Sequence, residues 1–111
     1  IINISSIVAK SGYKGTVAYT SAKSGLEGMT RSLSRELGRR NITVNAVAPG
    51  YMKTDLTKNM APNKLKQIIR RTPLGRAGNI DDVVGLVEFL LKKEANFISG
   101  QTILVDGGLT S

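Results

Sequence analysis

The 111-residue sequence predicts an α/β fold in which three parallel strands are flanked by helices. Three short runs are rich in apolar and β-branched residues without polar alternation, which is typical of strands buried on both faces. A long stretch between the first two runs repeats apolar residues every three or four positions, which indicates an amphipathic helix. The order strand, long helix, strand, helices, strand favours parallel strands joined by right-handed crossovers.

The three predicted strands cover residues 1–6, 42–48 and 101–108. A proline and a glycine follow the second strand, and two glycines end the third. Pro49 and Gly50 close the second strand. Because glycine lacks a Cβ, the backbone there can approach a ligand closely, although an ordinary turn explains this dipeptide equally well. The glycines that end the third strand favour a structural turn.

Three helices are predicted at 17–38, 64–71 and about 80–93, the first ending at Gly38 and the last capped by Asn79. The segment before the long helix, with its two glycines, is expected to be a loop. The expected core-facing stripe of the long helix consists of Ala22, Leu26, Met29, Leu33 and Leu37.

Composition excludes several kinds of chemistry. The chain has no cysteine and no histidine, so disulfides, thiolate or histidine metal sites and Ser-His-Asp hydrolysis are excluded, and no metal is expected. No apolar run approaches the roughly 18 residues that span a bilayer, so no membrane partner is expected. Hydroxyl, carboxyl, amino and guanidinium groups remain as candidate catalytic groups.

The net charge of +8 comes from 16 Lys and Arg against 8 Asp and Glu. Such a balance suits nucleic acid, an anionic cofactor or an acidic protein, and a solvated basic surface explains it equally well. One alternative function is therefore a basic nucleic-acid-binding module, but aromatic stacking residues are few and no such motif is present. A second alternative is a non-catalytic assembly fragment, in which Ala22, Gly25 and Gly28 let two helices approach closely.

Tyr19 and Lys23 are four residues apart and share one face of the first predicted helix. This helix begins just after the carboxyl end of the first strand, where open α/β sheets bind ligands. Ser6 ends that strand, so its hydroxyl can reach the same crevice. A tyrosine and lysine at this spacing also occur by chance in many helices, and Ser5 and Ser6 alone are typical of a strand end.

The three groups can carry out proton transfer together. A free phenol, with a pKa of about 10, exchanges protons poorly at neutral pH, and a nearby ammonium favours the phenolate. Such a phenol can give a proton to a carbonyl oxygen that receives hydride, or take one from an alcohol that loses it. A serine hydroxyl can hold that oxygen in place by a hydrogen bond.

Five segments in order, "INISS", "YTSAK", "ITVNAVAPGYMKT", "PLGRAG" and "ISGQTILVDGG", resemble the carboxyl-terminal half of the short-chain dehydrogenases/reductases. The resemblance covers essentially the whole chain. It implies the C-terminal half of a Rossmann-like doubly wound parallel sheet. It also implies an NAD(P)-dependent oxidoreductase that interconverts a ketone and a secondary alcohol.

The resemblance assigns roles residue by residue. Tyr19 matches the catalytic general acid and base, and Lys23 matches the lysine that favours its ionised form and hydrogen-bonds the nicotinamide ribose. Ser6 matches the substrate-positioning serine, for which Ser5 is the less favoured candidate. Pro49 and Gly50 match the turn beneath the nicotinamide, while the backbone of Met52 and the side chain of Thr54 match contacts to the carboxamide and phosphates.

The sequence is similar to bacterial reductases of fatty acid synthesis that act on 3-oxoacyl groups bound to acyl carrier protein. Arg40 matches the arginine that docks the acidic carrier protein there, and Arg31, Arg35 and Arg39 extend the basic stripe or simply face solvent. Thr16 and Ala9 depart from the usual residues of those reductases, so a sugar, polyol or other small alcohol remains an alternative substrate.

The family's glycine-rich phosphate turn, the residue that selects NAD or NADP and the asparagine of its proton relay belong to a first half that these residues lack. We therefore expect residues 1–111 to form the catalytic, substrate-side half without the N-terminal dinucleotide-binding half, and to be inactive alone. NADP is favoured over NAD. The resemblance further implies a cytoplasmic homo-tetramer or dimer.

Overall fold

The computed structural model describes residues 1–55 and 57–111 and contains one parallel sheet. Its strands are β1 (Ile2–Ile4), β2 (Asn45–Pro49) and β3 (Thr102–Val105), in the spatial order β1-β2-β3. Both neighbouring pairs run parallel. The predicted α/β fold with three parallel strands is therefore confirmed, although each strand is shorter than its apolar run.

Four α-helices connect or follow the strands: α1 (Val8–Ser11), α2 (Val17–Leu37), α3 (Pro62–Arg71) and α4 (Ile80–Leu90). Part of the expected loop before α2 is thus helical. The last helix is shorter than predicted, because the chain leaves it at Leu90 and forms a short 3₁₀ turn at 93–95. The predicted end of α2 at Gly38 is correct, and a 3₁₀ turn at 38–40 follows directly.

The start of α4 is fixed by a reciprocal cap. The Asn79 side chain accepts a hydrogen bond from the backbone N–H of Asp82 at 3.0 Å, and the Asp82 carboxylate accepts one from the Asn79 N–H at 2.8 Å. Two N–H groups that the helix leaves without intrahelical partners are satisfied in this way. The predicted cap at Asn79 is therefore confirmed.

The core lies around β2, whose Ala46, Val47 and Ala48 have no exposed surface. Val47 packs with Leu90 of α4 and with Ile2 of β1. Neighbouring side chains of a strand point to opposite faces, so the residue after Ile2 faces the other side of the sheet. There, Asn3 donates a 2.9 Å hydrogen bond from Nδ2 to Thr30 Oγ1 of α2. Helices α4 and α2 therefore cover the two faces of the sheet.

The face that α2 presents to the sheet differs from the predicted stripe. Its one buried residue among those described is Thr30, which also donates to the Leu26 carbonyl within the helix. Met29 is 46% exposed and Ala22 is exposed, so both were wrongly assigned to the core face. Leu26, Leu33 and Leu37 of the predicted stripe are partly buried. Hydrogen bonds from Asn3 to Thr30 and from Lys23 to the Ile4 carbonyl also tie the helix to β1.

Candidate active site

Tyr19 and Lys23 lie together in the first turns of α2, as predicted. The Lys23 Nζ lies 5.7 Å from the centre of the Tyr19 ring and donates a 2.7 Å hydrogen bond to the carbonyl oxygen of Ile4, the last residue of β1. The phenol is 49% exposed, so it is open to a bound molecule. The helix therefore presents a phenol and an ammonium at the carboxyl end of a parallel strand.

Ser6 lies two residues beyond the carbonyl that accepts from Lys23. Its Oγ accepts a 3.3 Å hydrogen bond from the Val8 N–H, and the N–H of the intervening Ile7 donates to the Pro49 carbonyl at 3.2 Å. The backbone thus ties the segment that carries Ser6 to the end of β2. Ser6 is half-buried at the same edge of the sheet as Lys23.

Gly50 follows β2 and lies against the end of β3. Its N–H donates to the Val105 carbonyl at 2.9 Å, and a Cβ built on it would lie 2.7 Å from the Cβ of Asp106. A side chain at this position would therefore collide with a neighbouring backbone. Gly50 therefore allows the ends of β2 and β3 to pack closely, independently of any role in ligand binding.

The turn after β3 is organised by Asp106, as the structural interpretation of its glycines predicts. Its carboxylate accepts hydrogen bonds from the Gly108 N–H at 2.9 Å and from the Thr110 hydroxyl at 2.6 Å and N–H at 2.9 Å. Burial acts to raise the pKa of Asp106, but these hydrogen bonds together outweigh it and hold the pKa below its ordinary value. The carboxylate is thus a structural acceptor of the turn.

Met52 and Thr54 lie on the segment that continues from Gly50. Met52 pairs with Gly78 in an isolated parallel bridge, and its carbonyl accepts a 2.8 Å hydrogen bond from the Thr57 hydroxyl. That same Thr57 oxygen accepts from the Thr54 N–H at 2.8 Å. Thr57 therefore stabilises the fold of this segment, a role that the sequence did not reveal.

A wide cleft of about 730 Å³ opens beside this segment. Thr54 contributes to its wall together with apolar groups of Met60, Leu65 and Ile80. Its wall also carries Lys53 and the ion pair of Lys58 with Asp55, whose charges are 3.6 Å apart. Of the predicted site residues within the described part of the chain, Thr54 alone lines this cleft. It is large enough for a small organic molecule.

Arg40 lies in the 3₁₀ turn that follows α2, at the opposite end of the helix from Tyr19. It is exposed, as are Arg31, Arg35 and Arg39 on the same helix and turn. The turn ends at Asn41, which adopts the left-handed backbone conformation with φ 57°. These exposed arginines thus lie toward the end of α2 away from the phenol and ammonium.

Glu27 was not predicted to belong to this region, and Ser5 was predicted only as the less favoured substrate-positioning serine. Glu27 accepts a 2.7 Å hydrogen bond from the Ser5 hydroxyl, and Ser5 is only 3% exposed. Glu27 lies one helical turn beyond Lys23 on the same face, a spacing that was visible in the sequence. The burial of Ser5 against this face of α2 could not be predicted from the sequence, because it depends on how β1 and α2 pack together.

The groups at this edge suit a nicotinamide dinucleotide chemically. The Lys23 ammonium and the Tyr19 hydroxyl can hydrogen-bond ribose hydroxyls, and Thr54 offers a hydroxyl to a phosphate or carboxamide. In the described residues, 1–55 and 57–111, no cluster of three or more metal-ligating side chains is present. None of the helices described is long and apolar enough to cross a membrane.

A comparison with known protein families shows the class of protein to which this chain belongs. The family model described as Enoyl-(Acyl carrier protein) reductase matches residues 1–110. The chain belongs to this family of short-chain dehydrogenases/reductases, and the resemblance inferred from the five sequence segments is therefore confirmed.

The particular relatives are reductases. The chain is 50% identical to the 3-oxoacyl-(acyl-carrier-protein) reductase FabG of Rickettsia felis over 109 residues, which are 98% of this chain and 45% of that protein. It is 44% identical over 109 residues to the reductase of the same name from Pseudomonas aeruginosa, covering 98% of this chain and 44% of that protein. The chain thus spans about 45% of the length of the curated relatives it matches.

A solved structure agrees with the fold. The crystal structure of a blue fluorescent protein from a metagenomic library, in complex with NADPH, matches all of this chain with a TM-score of 0.92 and 37% identity. The match covers 45% of that protein's chain. The three strands and their helices therefore correspond to a little under half of that neighbour's chain.

Proposed function

We propose that residues 1–111 are the catalytic half of an NAD(P)-dependent oxidoreductase that interconverts a ketone and a secondary alcohol. The observation that carries this proposal is the Lys23 ammonium, anchored 2.7 Å from the Ile4 carbonyl and 5.7 Å from the centre of the Tyr19 ring. This pair stands at the strand end where α/β sheets bind ligands. The family membership supports the same class of reaction.

Each side chain has a distinct task in this proposal. The Tyr19 hydroxyl gives a proton to the carbonyl oxygen during reduction and takes it back during oxidation, a contribution of typically 10²–10⁴-fold in rate. Lys23 stabilises the negative charge that develops on the phenol oxygen. Ser6 hydrogen-bonds the substrate oxygen and keeps it within reach of the phenol. When bound, the nicotinamide supplies or accepts the hydride.

The cofactor would lie along the edge formed by the ends of β1 and β2. Lys23 and Tyr19 would hold its ribose, Pro49 and Gly50 would lie beneath the nicotinamide ring, and Met52 with Thr54 would contact the carboxamide and phosphates. NADP is the favoured form, because the solved neighbour is described in complex with NADPH. The remaining length of the protein would supply the dinucleotide-binding half.

For the substrate we propose a 3-oxoacyl group carried by acyl carrier protein, as in fatty acid biosynthesis. Both curated relatives are named for this reaction, at 50% and 44% identity. Arg40 and the arginines before it are exposed and offer positive charge to an acidic carrier protein. The cleft lined by Met60 and Leu65 would take the acyl chain.

We also propose that copies of the chain assemble through the outer face of α2 as a homo-tetramer or dimer. Val17 is 80% exposed and Met29 is 46% exposed on this helix. Nothing lies within 4 Å of a Cβ built on Gly25, so a second helix can approach there closely. Light scattering of the complete polypeptide, with Gly25→Arg as the disrupting variant, tests this assembly.

The function is tested by following the absorbance of reduced nicotinamide in the complete polypeptide that carries this chain. NADPH, and then NADH, is mixed with an acetoacetyl thioester. We expect oxidation by wild type, faster with NADPH, and a loss of at least about 100-fold in Tyr19→Phe. Tyr13→Phe is the matched control, because Tyr13 is another exposed tyrosine outside α2.

The possible outcomes separate the parts of the proposal. Full activity of Tyr19→Phe would contradict proton transfer by this phenol. Wild type that is inactive with both cofactors and the thioester, but active with a polyol or sugar, would exclude the acyl substrate and retain the mechanism. Inactivity with every alcohol and ketone tested would contradict the oxidoreductase itself.

A further inference from the structure

A partly buried hydrogen bond lies next to the proposed catalytic pair. The Ser5 hydroxyl donates to Glu27 Oε1 at 2.7 Å, and Ser5 is 3% exposed between β1 and α2. The residue before it, Ile4, accepts the hydrogen bond from Lys23 at 2.7 Å. Ile4 and Ser5 are therefore adjacent at the end of β1, and they hold Lys23 and Glu27, which are one helical turn apart on α2.

Lys23 and Glu27 have the spacing at which helical side chains of opposite charge form ion pairs. Within the described part of the chain, the ion pairs are Lys58–Asp55 and Arg76–Asp82, so no pair joins Lys23 to Glu27. Each charge instead contacts a neutral partner. The ammonium contacts a backbone carbonyl, and the carboxylate contacts a hydroxyl.

We propose that Ser5 is a positioning residue for Tyr19, because its hydrogen bond keeps the Glu27 carboxylate away from Lys23. The inference rests on the proposed oxidoreductase function. A hydroxyl that donates to a carboxylate forms a charge-assisted hydrogen bond, which is stronger than one between neutral groups. With Glu27 satisfied by Ser5, the Lys23 charge acts on the phenol.

Removing the Ser5 hydroxyl would free Glu27 in a half-buried location, where an unpaired carboxylate is unfavourable. Lys23 and Arg31 are both four residues from Glu27, and pairing with Lys23 would withdraw the ammonium from Tyr19. The ionised phenol would then be less favoured. The rate of alcohol oxidation, which needs that form, would reach half its maximum at a higher pH.

The other charged groups around this pair come from the elements that pack on α2. Strands β1 and β2 carry none. Helix α1 carries Lys10 and the 3₁₀ turn after α2 carries Arg39 and Arg40. On α2 itself, Arg31 is one turn beyond Glu27 and is the competing partner for a freed carboxylate.

The test is a set of variants in the complete polypeptide, with the pH dependence of alcohol oxidation as the readout. In Ser5→Ala the half-maximal pH should rise by about one unit, and the rate at neutral pH should fall about tenfold. Glu27→Gln should behave as wild type, because its amide oxygen still accepts from Ser5. The double variant Ser5→Ala with Glu27→Gln should recover most of the lost rate.

Glu27→Asp provides a second route that leaves the buried serine intact. The shorter side chain keeps the charge but cannot reach the Ser5 hydroxyl. The half-maximal pH of alcohol oxidation should therefore rise as in Ser5→Ala. If instead the double variant is as impaired as Ser5→Ala, or if Glu27→Asp leaves the profile unshifted, the proposal is wrong. Capture of the freed carboxylate by Arg31 would give that unshifted profile.

Tyr19→Phe separates this proposal from the proposed function. If Tyr19→Phe is inactive while Ser5→Ala and Glu27→Asp retain the wild-type pH profile, the oxidoreductase stands and the positioning role of Ser5 fails. If Tyr19→Phe retains full activity, the proton-transfer function fails and the positioning role fails with it.

Discussion

The ammonium of Lys23 lies 5.7 Å from the centre of the Tyr19 ring, one helical turn away. Its Nζ is anchored by a neutral backbone carbonyl at 2.7 Å rather than by a carboxylate. Lys23 is thus held in place without an ion pair to a carboxylate. The proposed mechanism relies on Lys23 and Tyr19, and the chain contains no histidine.

The first prediction concerns that charge. Lys23→Met retains the length of the side chain but removes the ammonium and its hydrogen bond, so the rate of ketone reduction should fall by about 10²–10³-fold. Steady-state kinetics with saturating cofactor measure the effect. Lys10→Met, an exposed lysine of α1, is the control, and equal activity of the two variants would contradict the assigned role.

The second prediction concerns the junction of β2 and β3. In Gly50→Ala the new Cβ would lie 2.7 Å from the Asp106 Cβ and 2.8 Å from its Cα, so backbone must move. We expect a loss of about 1–3 kcal/mol in the free energy of unfolding, measured with urea.

Gly85→Ala is the matched control for this substitution, because nothing lies within 4 Å of a Cβ built on Gly85 in α4. It should stabilise the protein by about 0.5–1 kcal/mol through helix propensity. Equal stability of Gly50→Ala and wild type would show that the close approach to Asp106 does not constrain this residue.

The third prediction concerns the ion pair at the start of α4. Hydrogen bonds from the Arg76 guanidinium and the Asn79 N–H lower the pKa of Asp82 from 3.8 to about 2. A carboxyl whose pKa is lower in the folded state stabilises the fold above its unfolded pKa, and this contribution is lost as pH falls toward the folded value.

Arg76→Gln should therefore lower the melting temperature at pH 5, and the difference from wild type should narrow as the pH falls to about 2. Lys58→Gln is the control, since its ion pair with Asp55 is long, 3.6 Å, and exposed. A difference between Arg76→Gln and wild type that stays constant from pH 5 to pH 2 would contradict this assignment.

The fourth prediction separates the carrier protein from the acyl group. Arg40→Glu should lower kcat/KM by about tenfold for an acyl-carrier-protein substrate and leave the small thioester unaffected, because Arg40 is remote from Tyr19 along α2. The loss should shrink at high salt, where exposed charges are screened. Lys92→Glu, beyond the end of α4, should show neither effect.

The sequence predicted the fold well because its strongest signals are local. The β-branched run around Val47 and the Asn79 cap each require only neighbouring residues to be recognised. The strand pairing followed from the alternation of strands and helices. The core face of α2 was misassigned because Thr30 is buried through its hydrogen bond with Asn3, a partner 27 residues away.

The candidate site shows the same limit. Tyr19 and Lys23 are four residues apart, so their contact followed from helix geometry alone. The hydrogen bond of Ser5 to Glu27 depends on how two separate segments pack together, and that of Thr57 to Met52 depends on an irregular local turn, so residue type alone indicated neither. The collision that a side chain at Gly50 would cause likewise depends on β3.

The central claim is that the transferred proton passes through the Tyr19 hydroxyl. The most direct measurement replaces Tyr19 alone with a ring-fluorinated tyrosine and follows the pH dependence of alcohol oxidation in the complete polypeptide. Fluorination lowers the pKa of a free phenol, so we predict that the half-maximal pH falls by a similar amount. An active enzyme whose pH profile is unchanged by the fluorine would contradict the account.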